Sequence, residues 1–132
     1  MKPVYMEHAH DPPRSWGDCL RASVASLLGV GRDQVPHFLD KGVVEWWPAF
    51  ATWMAERGLY VNEQPADLVT PPGYYLAFGR TGGEGHCVVG KAGKVAFDPR
   101  PHSRTAFVVE SVGMLILTDA DKFQAWKSRC SS

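Results

Sequence analysis

Ser15-Trp16-Gly17-Asp18-Cys19-Leu20-Arg21-Ala22-Ser23-Val24-Ala25-Ser26-Leu27-Leu28-Gly29 reads as a loop that tightens at Gly17 and a helix that opens on a cysteine. Leu20, Val24, Leu27 and Leu28 recur at i, i+4, i+7 and i+8, which gives the helix one apolar face. Asp18 is placed to cap its start, and Gly29 stands where a left-handed stop is expected. Cys19 then falls in the first turn. Unpaired backbone N–H groups and the positive end of the helix dipole favour an anion there, so a thiol at that point is expected to ionise more readily than a free one. The alternative for Cys19 is a small buried apolar residue.

The rest of the chain sets the frame for that helix. Its 132 residues suit one domain with one core, 1–132, of ordinary soluble composition: 45% hydrophobic and 21% charged. Fourteen basic and fourteen acidic residues balance without a Lys/Arg cluster, so neither a nucleic acid nor an acidic membrane is an expected partner. No apolar run approaches the roughly 18 residues that span a bilayer, and Met1 to His8 lacks the apolar centre of a signal peptide. Three cysteines at irregular spacing do not make a disulfide framework, and a reducing cytoplasm is the expected location.

Residues 1–14, rich in Pro and His, read as an irregular arm. After the Cys19 helix, Gly31 to Phe38 reads as a turn and a short helical segment that Asp33 could cap. A second helix is expected from Trp47 to Arg57, with Pro48 in its first turn and Phe50, Trp53 and Met54 on one stripe. From Leu59 the pattern turns to short strands: Leu59–Val61, Tyr74–Phe78, His86–Gly90, Lys94–Phe97 and Val112–Thr118. Gly79 to Gly85 reads as a flexible connector, and Ala120 to Lys127 as a last helix capped by Asp119. Helices first and strands after mean α+β, with N-terminal helices packed on a C-terminal antiparallel sheet.

The second chemical segment is Gly85-His86-Cys87-Val88-Val89-Gly90-Lys91-Ala92-Gly93-Lys94-Val95-Ala96-Phe97-Asp98-Pro99. A three-residue hairpin loop wants its last residue left-handed, and Gly93 supplies that. That loop opposes His86 to Asp98 and Cys87 to Phe97. Opposed side chains share a face about 5 Å apart, so a carboxylate accepts the imidazole N–H and leaves the other ring nitrogen free. A two-residue loop would instead oppose His86 to Pro99. Cys87 points away from His86 and is not the expected nucleophile.

A helix-start cysteine, a strand histidine and a carboxylate one hairpin later have the residue types of covalent acyl chemistry. Cys19 would be the nucleophile, His86 the general base and acid, and Asp98 the group that orients His86. The Cys19 backbone N–H would be one oxyanion donor. Ser15, Trp16, Gly17, Asp18 and Gly85 flank these positions and are the expected oxyanion or substrate-binding residues. Zinc is not expected. Cys19, His86 and Cys87 with His8, His10, His37 or His102 show no Cys-x-x-Cys or His-x-x-x-His pair, and adjacent His86 and Cys87 face opposite sides of a strand. No other cofactor is indicated.

In Gly17-Asp18-Cys19 with its small-residue helix, His86-Cys87-Val88-Val89, and Phe97-Asp98-Pro99, the chain resembles the papain-like cysteine peptidases, above all the compact bacterial C39 and C39-like type. The likeness spans roughly residues 12 to 118 and extends to small bacterial and phage proteins. It implies a papain-like fold, a cleft between helix and sheet, and a thiol peptidase or amide hydrolase acting on a peptide or isopeptide bond of a peptide or protein substrate. It also admits transglutaminase-type acyl transfer or a binding module that no longer cuts. Trp16, Trp46, Trp47 and Tyr74 are the candidate cleft walls. One departure stands out: the family places a Gln about six residues before the cysteine as a side-chain oxyanion donor, and here that position is Pro13. Arg14, Ser15, Trp16 or an N-terminal histidine would have to replace it. The oligomeric state is not legible.

Overall fold

The computed structural model describes residues 1–100 and 106–130. In chain order the helices and strands are α1 (Cys19–Leu28), α2 (Trp46–Ala55), β1 (Leu59–Pro65), β2 (Tyr74–Thr81), β3 (Glu84–Lys91), β4 (Lys94–Phe97), β5 (Phe107–Leu117) and α3 (Ala120–Arg129). Single 3-10 turns at Arg32–Gln34 and Asp40–Gly42 link α1 to α2. The five strands form one antiparallel sheet in the order β1-β5-β2-β3-β4. The α+β arrangement expected from the pattern is the one observed.

Helix α1 is buried on more than one stripe. Besides Leu20, Val24 and Leu28, the small residues Ala22, Ser23, Ala25 and Ser26 are all inside. Small side chains let the helix lie close to β3, and Ser23 Oγ donates to the Cys87 carbonyl at 3.1 Å. Leu27 is only partly buried at the rim of the core. Gly29 ends the helix at φ 70°, as expected, with its own N–H returning to Ser26 and that of Val30 to Ala25. Lys127 Nζ donates to the Leu28 carbonyl, so α3 closes the far end of α1.

The main core lies between the helices and one face of the sheet. Val24, Phe50, Met54, Leu76 and Cys87 meet there, with Trp126 of α3. Their burial supplies the bulk of the apolar driving force. A smaller cluster, Tyr75, Ala77, Val88 and Val112, sits on the opposite face under Ala66, Val69 and Phe107. Alternation along β3 follows directly: Cys87 belongs to the first cluster and Val88 to the second.

Four strands run past their expected ends, β1 to Pro65 and β3 over Glu84 to Lys91 among them. β2 continues through Gly79 to Thr81, so the expected flexible connector is instead a tight Gly82-Gly83 turn into β3. β5 begins at Phe107, five residues earlier than its apolar run suggested, because it pairs with β2 there as well as with β1. Asp119 caps α3 as expected, accepting the Lys122 N–H at 3.1 Å. Asp33 lies inside the Arg32–Gln34 turn, whose cap position is Gly31 and has no side-chain cap.

The arm at residues 1–14 has a defined course. Lys2 N–H donates to the Ser26 carbonyl, Val4 N–H to Ser26 Oγ, and Met6 N–H to the Pro99 carbonyl. Tyr5 stacks edge-on against Phe97 at 5.1 Å. The arm therefore ties α1 to the segment that follows β4, the two parts that carry Cys19 and Asp98. No helix among the described residues is long and apolar enough to cross a membrane.

Candidate active site

The β3–β4 hairpin brings His86 and Asp98 together by a route different from the expected one. Its loop has two residues, Ala92 and Gly93, both at positive φ, with Lys91 opposite Lys94 and Gly90 opposite Val95. That loop alone would leave Asp98 on the wrong face. A bulge follows: Val89 opposes Phe97, so Ala96 is an extra residue on β4. The bulge adds a second one-residue slip in the same direction, and the two together return Asp98 to the face of His86. His86 Nε2 donates to Asp98 Oδ1 at 2.7 Å. The same oxygen accepts the Arg100 N–H at 2.9 Å, which fixes the carboxylate.

With Nε2 committed to Asp98, Nδ1 is the nitrogen left for Cys19, which lines the same cleft and acts electrostatically on the ring. Cys19 opens α1 and is half-buried, and the His86 side chain is only 1% exposed. Burial by itself would push the imidazolium to release its proton. The hydrogen bonds to Asp98 and Cys19, together with the negative charge those two carry when ionised, outweigh burial and raise the His86 pKa from 6.5 to about 9. Burial likewise works against the Asp98 carboxylate, and the bonds from His86 and the Arg100 N–H overcome it, so its pKa is lowered.

Linkage turns this into a stability prediction. The His86 pKa is higher in the folded chain than in the unfolded one, so the stabilisation is complete below pH 6.5 and is lost as pH rises to about 9. The shift corresponds to about 3 kcal/mol. Urea unfolding of the wild type is expected to show that loss across this window, and His86→Ala is expected to lack it. Equal pH slopes for the two proteins would contradict the assignment.

Cys19 and His86 face a cleft of about 390 Å³. Trp16, Leu39, Val43, Val44 and Trp46 give it apolar walls, Glu84, Gly85 and Arg100 form part of its polar lining, and Met6, His10 and Pro12 of the arm complete it. The arm lines the cleft. Of the four wall candidates, Trp16 and Trp46 are in it. Trp47 packs instead on Phe50 and Phe78, and Tyr74 lies under Lys91.

Among the flanking residues, Gly17 and Gly85 line the cleft beside Trp16, whereas Ser15 and Asp18 do not. Ser15 Oγ donates to the Ala9 carbonyl. Asp18 is completely buried and is the residue before α1, yet its side chain does not cap that helix. Its Oδ1 accepts the N–H groups of Glu7 at 3.0 Å and His8 at 2.9 Å, and Arg21 lies 3.9 Å from Oδ2. The carboxylate holds the arm to the mouth of the helix, and substrate cannot reach it.

Cys87 is buried on the core side of β3, where burial pushes its thiol pKa well up, in keeping with a packing role. The described residues contain no group of three or more His, Cys, Asp or Glu side chains able to hold a metal. His102, one of the histidines considered as a ligand, lies outside the described residues. His8 stacks on His37 at 6.0 Å, and His37 Nε2 donates to the Trp16 carbonyl at 2.8 Å, so both are occupied in fastening the arm and the loop.

A pair of cleft residues escaped the sequence reading. Glu84 and Arg100, paired at 2.9 Å, lie sixteen residues apart and meet only through the hairpin. His10 carries no periodic or motif signal. Comparison with protein-family models, with curated proteins and with solved structures finds no match for this chain.

Proposed function

We propose that this protein is a papain-like cysteine hydrolase that cleaves a peptide or isopeptide bond through Cys19, His86 and Asp98. The observation that carries the reading is that Cys19 and His86 line one cleft while Asp98 holds the His86 ring from behind at 2.7 Å. Cys19 passes its proton to His86 and attacks the substrate carbonyl. His86 then protonates the leaving amine, and a water molecule activated by the same imidazole releases the acyl group. Asp98 keeps the ring in the orientation that presents Nδ1 to sulfur. The N–H of Cys19, as the first residue of a helix, has no carbonyl within the helix to bind and can donate to the oxyanion.

The test uses p-nitrophenyl acetate as an acyl donor, with mass-spectrometric mapping of the acylated residue. Acetyl on Cys19, turned over by water and absent in Cys19→Ala, is the expected result. Acetylation shared equally and slowly between Cys19 and Cys130 would overturn the reading and leave a binding module. Faster capture by an added primary amine than by water would move the assignment from hydrolase to acyl transferase.

A further inference from the structure

One nitrogen of the arm points to a further member of this site. Gly17 N–H donates to His10 Nδ1 at 3.2 Å. A backbone amide can only donate, so Nδ1 is the acceptor and the ring proton resides on Nε2. His10 lines the same cleft as Cys19 and His86, and with Nδ1 accepting from Gly17 its Nε2 is the ring nitrogen left to donate. Gly17 makes this placement possible. A Cβ there would come within 3.0 Å of His10 Cβ and 3.4 Å of His10 N.

Two other donors of the cleft are engaged. The Gly17 N–H is taken up by His10, and the Arg100 guanidinium is paired with Glu84. The Trp16 indole N–H, beside Gly42, is the alternative side-chain donor in the cleft. Pro13 has no N–H at all.

We propose that His10 donates, through Nε2–H, the second hydrogen bond to the oxyanion formed when Cys19 attacks a carbonyl. The inference rests on the triad reading above. In the step itself the Sγ–C bond forms and the carbonyl π pair moves onto oxygen. That oxygen accepts bonds from the Cys19 N–H and His10 Nε2–H. As it collapses the π bond returns, and the leaving group departs with the proton carried by His86. No proton leaves His10, which makes it an electrostatic catalyst and not a second base.

The experiment compares two reactions of the same sulfur. Acylation by p-nitrophenyl acetate passes through an oxyanion, and alkylation by iodoacetamide does not. His10→Ala is expected to lower the acylation rate of Cys19 about 100-fold, with alkylation unchanged. His10→Gln, which keeps an N–H donor, is expected to recover part of the loss. Gly17→Ala, which displaces His10 without removing it, is expected to resemble His10→Ala. Nitrogen-15 NMR of the wild type gives a reading independent of any variant: His10 Nε2 protonated and Nδ1 bare. Undiminished acylation in His10→Ala, or the opposite tautomer, would overturn the proposal and leave the triad standing. Failure of wild-type Cys19 to acylate at all would instead remove the triad reading beneath it.

Discussion

His86→Ala will lower the acylation rate of Cys19 by about 10⁴-fold, the scale on which triad members act in concert. The expectation follows from the enclosure of the ring. With 1% of its side chain exposed, His86 is placed to take the sulfur's proton, and bulk water has little access to substitute for it. Asp98 is bound directly to the same ring at 2.7 Å, so Asp98→Ala should move activity in the same direction by a smaller factor, since Nδ1 remains although its orientation is lost. Stopped-flow detection of p-nitrophenolate reads both rates. A loss below tenfold in His86→Ala would mean that the imidazole is a neighbour of the sulfur and not its base.

The second large effect falls on stability. Asp18→Ala is expected to destabilise the fold by about 3 kcal/mol or more, because hydrogen bonds to a buried charge are individually worth about 1.5–3 kcal/mol and their donors would be left unsatisfied. Two backbone N–H groups, those of Glu7 and His8, lose their acceptor, and the nearby Arg21 guanidinium loses its counter-charge. Asp18→Asn keeps one acceptor oxygen and should lose less. Since the tethered arm supplies Met6, His10 and Pro12 to the cleft, Asp18→Ala should also slow acylation of Cys19 at temperatures where the chain remains folded. Urea unfolding monitored by tryptophan fluorescence measures the first effect. A change under 1 kcal/mol would contradict the role given to this carboxylate.

Both effects bear on what could be read from the chain beforehand. Helix α1 was legible because its signals are local: an apolar period and a glycine stop within eleven residues. The task of Asp18 was not, since the position is a cap position and only the folded arm shows that its oxygens turn to Glu7 and His8. The hairpin is more instructive. Gly93 suited the left-handed end of a three-residue loop, yet the loop has two residues and Ala92 itself adopts φ 54°. The bulge at Ala96 then adds a second slip in the same direction, which restores the facing. His86 and Asp98 meet as expected, but two successive one-residue slips that together preserve their facing bring them there, and neither has a sequence signal strong enough to identify it.

Strand limits failed for a similar reason. Gly79 read as the start of a connector, but it continues β2 beside the Val108 backbone, where a Cβ would come within 2.0 Å of the carbonyl oxygen. A glycine that permits close approach looks, in sequence, like one that permits a turn. In the first half of β5 the apolar triplet Phe107-Val108-Val109 is cut off from Val112 by Glu110 and Ser111, so it did not read as part of the same strand. His10 offered no pattern at all. Its place in the cleft follows from the arm's path over Asp18 and from the bond donated by Gly17, both of them tertiary facts.

The most direct measurement of the central claim is the titration of the His86 ring by NMR, in the wild type and in Cys19→Ala. A catalytic pair predicts an imidazolium that persists to a midpoint near 9 and a midpoint that falls when the sulfur is removed. A ring that titrates near 6.5, or one indifferent to the loss of Cys19, would contradict it.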